Sequence, residues 1–379
     1  AWEYVPRLKK WYLHLFDVTQ ADLNWDNPRV RQELKEVILF WKAKGVKGFR
    51  FDVVNLISKP DIFEDDHKGD GRRFYTDGPR VHEYLQELVG DTGIEDMVTV
   101  GEMSSTTLDN CIRYSRPEDR ELSMCFNFHH LKVDYRDGDK WKLMEPDLVR
   151  LKQLFMEWQE GMERENGWNA VFWCNHDQPR AISRFGDDGR YWKESAKMLA
   201  TVIHMFRGTP YVYQGEELGM TNPHYVDISQ YRDVESINYY RILTEQGITG
   251  EEALKVLAAR SRDNGRTPMQ WDGSRYAVFS QGEPWIGIPE NHSYINAQAE
   301  AADSGSILNY YKSLIALRKE YKVISEGEIE FIYREHPQVL AYRRSCQGQE
   351  LVVLANMKAS AADLGEKPGY FRLSGGPRA

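Results

Sequence analysis

From Asn27 onward the chain alternates between two hydrophobic periods. Pro28 opens a segment in which Val30, Leu34, Val37, Ile38 and Trp41 fall on one face at helical spacing, and Gly45 closes it. The run that follows, Gly48-Phe49-Arg50-Phe51-Asp52-Val53-Val54, is apolar except at Arg50 and Asp52, as a strand buried in a parallel sheet is. The same unit then recurs. A helix from Pro79 to about Val89 leads to a strand from Met97 to Glu102, and a short helix from Leu108 to Tyr114 leads to Leu122 to Phe128. Helices from about Pro146 to Met162 and from about Trp192 to Phe206 lead to strands from Ala170 to Cys174 and from Thr209 to Tyr213. Past Tyr213 the chain turns loop-rich around Gly215, Gly219 and Pro223, with a further helical segment near Glu251 to Arg260. From about Glu326, alternating segments such as Phe331-Ile332-Tyr333 and Leu351-Val352-Val353-Leu354 read as strands of a small antiparallel domain. The closing residues, Arg372 to Ala379, carry no strand pattern.

Helices alternating with short apolar strands predict an α/β fold with a parallel sheet. A doubly wound sheet normally has a Gly-rich phosphate turn after its first strand, and none of these strands is followed by GxGxxG. In a (β/α)8 TIM-type barrel the reactive groups gather at the C-terminal ends of several strands. Asp52, Glu102 and Asp177 each stand at or just past a strand end, which favours the barrel. The pattern contains only about the last five β/α units of such a barrel, and the chain begins with Ala rather than Met, so N-terminal truncation is expected. The expected division is a lead-in from a loop domain inserted in the barrel (1–25), the C-terminal part of the catalytic barrel (26–322), and an incomplete C-terminal β-sandwich (323–379).

Composition narrows the function. Of 379 residues 41% are hydrophobic and 12% aromatic, enough apolar volume for a core and too much for a disordered chain. The balance of 49 basic and 58 acidic residues, −9 overall, speaks against nucleic acid as a partner. No apolar run approaches the ~18 residues of a membrane span. Cys111, Cys125, Cys174 and Cys346 form no CxxC pair and read as reduced thiols of a cytoplasmic protein. Asp65-Asp66-His67-Lys68-Gly69-Asp70-Gly71 lacks the alternating ligands and closing Glu of an EF-hand, so neither metal nor cofactor is expected. Trp2, Tyr4, Trp11, Tyr12, Phe16 and Trp25 could stack on sugars, but ordinary packing is the expectation for most of them.

Three acids at strand ends suit a reaction that needs a nucleophilic carboxylate, a carboxylic acid to protonate a leaving group, and a third carboxylate to hold substrate. Glycoside hydrolysis is such a reaction. An acid at a strand end is, taken alone, more often a cap or an ion-pair partner, and the neighbours change that balance. Arg50 precedes Asp52 by two positions, so strand alternation points both side chains to one side, where the cation keeps the carboxylate ionised. His176 beside Asp177 adds a donor for a sugar hydroxyl.

These segments resemble the ordered motifs of the α-amylase family of glycoside hydrolases, family 13. The resemblance rests on Gly48-Phe49-Arg50-Phe51-Asp52, Val100-Gly101-Glu102 and Phe172-Trp173-Cys174-Asn175-His176-Asp177. Two further stretches, Gln20-Ala21-Asp22-Leu23-Asn24 and Arg262-Asp263-Asn264-Gly265-Arg266-Thr267-Pro268-Met269-Gln270-Trp271, are similar to motifs of the oligo-1,6-glucosidase branch. The family's first motif, an Asp and an Asn-His pair on the early strands, does not occur here.

The resemblance implies a retaining glycosidase with Asp52 as nucleophile, Glu102 as acid and base, and Asp177 gripping the ring hydroxyls of a distorted sugar. Glu102 is expected to stay protonated near neutral pH through partial burial and the charge of Asp52. Arg50, His176 and an arginine of the 262–266 motif, Arg266 or Arg262, are implied to complete the glucose site.

Within the branch, Gly101-Glu102-Met103-Ser104-Ser105-Thr106-Thr107 and Phe126-Asn127-Phe128-His129-His130-Leu131-Lys132-Val133-Asp134-Tyr135 resemble the members that act on a phosphorylated disaccharide, and that resemblance implies trehalose 6-phosphate as the small-molecule substrate. An acidic chain needs a local basic cluster for that phosphate. His129, His130 and Lys132 are its candidates, with Lys140 a weaker one; the competing reading is a solvated Lys132 and a core His130. The alternatives are an oligo-1,6-glucosidase or other α-glucosidase acting on neutral oligosaccharides and a non-catalytic family relative or inactive fragment. Neither a membrane nor nucleic acid is an expected partner, and a monomer is favoured.

Overall fold

The computed structural model describes residues 2–365; the closing stretch read above as free of strand lies outside them. By compactness the chain falls into two units, one of Ala1–Phe128 with Arg164–Trp168, the other of His129–Glu163 with Asn169–Ala379.

The first unit opens on an antiparallel hairpin of β1 (Trp2–Val5) and β2 (Lys10–Leu13), which the sequence reading did not anticipate. Its aromatics do not pack inward as expected, because a two-stranded hairpin offers little interior. Trp2, Tyr4 and Trp11 are 44%, 41% and 63% exposed, and Tyr4 meets Trp11 across the strands at 5.1 Å. Helix α1 (Pro28–Ala43) is capped by the Asn27 side chain, which accepts from the Arg29 amide. It buries Ile38 against Leu88, Val89 and Ile94, with Phe49 and Phe51 packed on that cluster. Two residues expected on this buried face, Val37 and Trp41, are about half exposed, and Lys35 is buried there instead, its ammonium held by Glu87 and Asp91 of the next helix. A long stem with a paired head thus occupies a position that periodicity alone reserves for an apolar side chain.

Strands β3 (Gly48–Phe51), β4 (Val98–Glu102) and β5 (Met124–Phe126) form a parallel sheet in that order, connected by α2 (Val81–Thr92) and α3 (Leu108–Ser115). Each lies within the run that the hydrophobic pattern marked.

The second unit contains α4 (Leu148–Arg164, its last residue excepted), the parallel pair β6 (Ala170–Val171) and β7 (Thr209–Pro210), and the helices α5 (Ala181–Phe185) and α6 (Trp192–His204) between them. Then follow α7 (Val234–Glu245), α8 (Gly250–Arg260), α9 (Ala297–Ala302), α10 (Ile307–Glu320) and α11 (Lys322–Ser325). The antiparallel sheet β8 (Glu328–Ile332), β9 (Val339–Cys346) and β10 (Gln349–Asn356) closes the unit, with β9 central.

Buried Arg344 of β9 donates to the carbonyls of Met205 (2.7 Å) and Ile324 (2.8 Å), and Tyr342 donates to Val202 O (2.6 Å). These bonds tie the sheet to the end of α6 and to α11. None of the four cysteines is bridged, and no helix among the described residues is long and apolar enough to cross a membrane.

Candidate active site

In the first unit the parallel register fixes the relation of two acids. Arg50 pairs with Val100 and Phe51 with Gly101, so Asp52 and Glu102 leave neighbouring strands at the same level. Adjacent strands lie about 4.8 Å apart, which brings the two carboxylates to one place. Arg50 points to the same side and forks between them. Its Nη1 donates to Asp52 Oδ1 at 2.8 Å, and its Nη2 contacts Glu102 Oε2. The sequence paired Arg50 with Asp52 alone; the guanidinium also reaches Glu102 because both planar nitrogens face the strand ends.

Asp52 is open to solvent, whereas the Glu102 side chain is only 15% exposed. Gly101 lies beneath Glu102. A Cβ there would stand 2.4 Å from Met103 Cε and 2.6 Å from Leu122 Cδ1, so only a glycine lets β4 lie this close to its neighbours.

In the second unit, the loop after β6 carries His176 and Asp177. The Asp177 amide donates to Asn175 Oδ1 at 2.8 Å, which turns the acid out of the strand direction. Arg266 clamps this loop twice, Nη2 to Asp177 Oδ1 at 2.6 Å and Nε to the His176 carbonyl at 2.7 Å. Arg262 stands farther off, 3.5 Å from Asp177 Oδ1, and its Nε donates to Glu235 at 3.1 Å; Lys140 donates to the same carboxylate at 2.8 Å. The motif approaches so closely because residue 265 is glycine, where a Cβ would meet the Gln178 carbonyl at 2.5 Å. Asp263 anchors the motif from below by accepting the amides of Arg232 (2.7 Å) and Asp233 (2.9 Å). Glu235 and the fully buried Arg180, which donates to Thr267 of the motif at 3.3 Å, carried no sequence signal, since their partners lie 27 to 95 residues away.

The basic stretch 129–132 divides. Lys132 is exposed, and His129 is half-buried with its ring 4.9 Å from that of Trp158. His130 corrects the expectation. It is buried among Phe155, Phe172 and Trp173, its Nε2 lies 2.9 Å from the Phe172 carbonyl, and burial pushes its pKa down to about 3. A neutral imidazole in the core is no phosphate ligand. Lys140 is committed to Glu235, and burial draws its pKa below the usual lysine value.

A family model of the alpha-amylase catalytic domain matches residues 1–327. The chain belongs to the alpha-amylase family. The fold class that goes with this membership is a TIM-type barrel followed by an antiparallel C-terminal sheet.

Among relatives within the alpha-amylase family, the chain is 52% identical over 363 residues to trehalose-6-phosphate hydrolase of Bacillus subtilis (strain 168), covering 96% of this chain and 65% of the relative. It is 54% identical over 358 residues to trehalose-6-phosphate hydrolase of Escherichia coli (strain K12), covering 94% and 65%. The crystal structure of Bacillus licheniformis trehalose-6-phosphate hydrolase superposes with a TM-score of 0.92 at 55% identity, covering 94% of this chain and 64% of that one. The chain thus spans just under two thirds of the length of these relatives.

Proposed function

We propose that this chain carries the catalytic residues of a retaining α-glycosidase that cleaves the α,α-1,1 bond of trehalose 6-phosphate, giving glucose and glucose 6-phosphate. The observation that carries the reading is the convergence of Asp52 and Glu102 on one guanidinium at adjacent parallel strand ends. Retention needs two carboxyl groups only about 5–5.5 Å apart, and inversion needs them farther apart. Asp52 attacks the anomeric carbon while Glu102 gives its proton to the departing oxygen of glucose 6-phosphate. Glu102 then takes a proton from water, whose oxygen displaces Asp52 and regenerates both groups.

Asp177 grips ring hydroxyls and favours the oxocarbenium-like sugar, with His176 as a further donor and Arg266 and Arg262 holding the carboxylate in place. The substrate assignment is supported by the identity of more than 50% to two trehalose-6-phosphate hydrolases. Lys132 and His129 are the phosphate ligands of this reading, and His130 is not among them. We place the protein in the cytoplasm, where unbridged thiols and a phosphorylated sugar belong, and expect it to act as a monomer on this small molecule alone.

The test is kinetic and uses the whole protein. Trehalose 6-phosphate should give a higher kcat/KM than trehalose or isomaltose, and preference for isomaltose would overturn the substrate assignment. Asp52→Asn should abolish turnover of all three. For the phosphate ligand, Lys132→Ala should lower kcat/KM on trehalose 6-phosphate about 10- to 100-fold, the worth of one charge-assisted hydrogen bond, and spare a neutral aryl glucoside. An equal loss on both would remove Lys132 from the site.

A further inference from the structure

The turns that follow the two acids are both strained. Val53, next after Asp52, sits at φ 36° and ψ 43°, left-handed for a β-branched residue, and Ser105, three past Glu102, is at φ 53°. A third left-handed residue, Asp77 at φ 50°, lies in the loop leading to α2. Such conformations persist only where the surroundings over-determine them, and they gather at functional sites. One side chain joins all three segments. Asn55 is fully buried; its Oδ1 accepts the Ser104 amide at 2.9 Å, and its Nδ2 donates to the Ser104 carbonyl at 2.8 Å and to Asp77 Oδ1 at 3.1 Å. Its backbone carbonyl accepts the Asp77 amide at 2.9 Å. Asp77 is braced in turn by Tyr114 Oη and Asn110 Nδ2 of α3, both at 2.8 Å.

We propose that Asn55 is a positioning residue, whose amide locks the turn after Asp52 to the turn after Glu102 and so fixes the separation of the two carboxylates. Asn55 touches neither acid, so it acts only through the backbone. The two-way bond to Ser104 reproduces, with a side chain, the rung that a parallel sheet would supply if β3 and β4 continued. The strands end there because both acids must leave the sheet, and Asn55 restores the register beyond them. Asp77 prevents the amide from turning over, since it takes a hydrogen bond that only the NH2 end can give. The inference rests on the retaining mechanism above, in which that separation decides the chemistry.

The experiment compares the whole protein with Asn55→Ala on two α-glucosides, one with an alkoxide leaving group that needs the Glu102 proton and one with 2,4-dinitrophenolate, which does not. A misplacement of about 1 Å can cost on the order of 100-fold. The expected result is a fall in kcat/KM of that size on the alkyl glucoside, with less than about a tenfold fall on the aryl one. Equal losses on both, which a simple loss of folded protein would give, would overturn the proposal. Should Asn55→Ala not fold, Asp77→Ala removes the acceptor that holds the same amide and should show the same inequality. A crystal structure of the folded variant supplies a readout independent of turnover, in which a shifted Asp52–Glu102 separation supports the role of Asn55 and an unchanged one overturns it. Absence of α-glucosidase activity in the unsubstituted protein would instead defeat the retaining mechanism, and the separation would still judge Asn55.

Discussion

At the scale of single residues, the proposed chemistry depends on groups that no other side chain can replace. Arg50 spans two carboxylates with the two arms of one planar guanidinium. A lysine offers a single point charge and cannot hold both. Arg50→Lys should therefore lower kcat/KM by about 10- to 100-fold, the worth of one lost hydrogen bond between charged groups, and steady-state kinetics on trehalose 6-phosphate will show it. Retention of full activity would mean that the fork is not used. Gly101 makes the complementary point about space. The methyl group of Gly101→Ala would collide with Met103 and Leu122 beneath Glu102. Overpacking of this kind costs about 1–3 kcal/mol, measurable by urea unfolding. Repacking of the flexible Met103 end would place the cost at the low end of that range.

The segment from His129 to Tyr135 shows how one short element divides its residues between core and surface. His130 and Leu131 turn inward, Lys132 outward, and Asp134 inward again to meet two guanidinium groups, Arg184 at 2.7 Å and Arg260 in contact. Burial raises the Asp134 pKa, but the two arginines outweigh it and hold the carboxyl below its usual range. Asp134→Asn leaves two buried cations without a counter-charge. Breaking a buried pair in this way costs about 3–5 kcal/mol, and thermal or urea unfolding should show a loss of that size. A loss under 1 kcal/mol would mean that water reaches the arginines. Elements with strong periodicity were legible in the sequence: all five parallel strands lie inside their apolar runs, and α1 to α4, α6 and α8 stand where spacing put them. The hairpin β1–β2 and the helix α7 were not legible, since their apolar residues are exposed or only partly buried and mark no buried stripe; α10 does bury Ile307, Tyr311 and Leu314 at helical spacing, a stripe left unassigned because the stretch around it is polar and loop-like. The caps did carry a signal, Asp233 accepting from Ser236 and Ser306 from Asn309. Within the site, the acids were legible because strand ends mark them. Asn55 was not, because it reads as one polar residue in an apolar run and its partners lie 22 and 49 positions away.

For the whole molecule, the balance of stability against pH follows in part from two buried groups of the second unit, Glu216 and His130. Glu216 lies beside a small cavity in the second unit, where Tyr311 Oη donates to it at 3.0 Å and the Cys174 thiol at 3.4 Å. Burial, with Glu217 adding to it, pushes its pKa up to about 7 from 4.5. Between those values the folded chain keeps a proton that the unfolded chain has released, so stability falls as pH rises, by up to about 1.4 kcal/mol per unit, and levels off above pH 7. His130 works in the opposite sense. Its folded pKa of about 3 lies below the ordinary 6.5, so the unfolded chain takes up the proton first and stability is lost as pH falls through that interval. Where the intervals overlap, from about 4.5 to 6.5, the two slopes oppose each other and this pair contributes little net change. Difference curves separate them. The stability of Glu216→Gln relative to the unsubstituted protein should rise from pH 4.5 to about 7 and then stay level, while that of His130→Gln should rise as pH falls below 6.5. Urea unfolding at unit steps of pH measures both curves. A flat difference for Glu216→Gln would mean that the buried carboxyl is already ionised at pH 5, which would require a counter-charge closer to it than any partner found among the described residues.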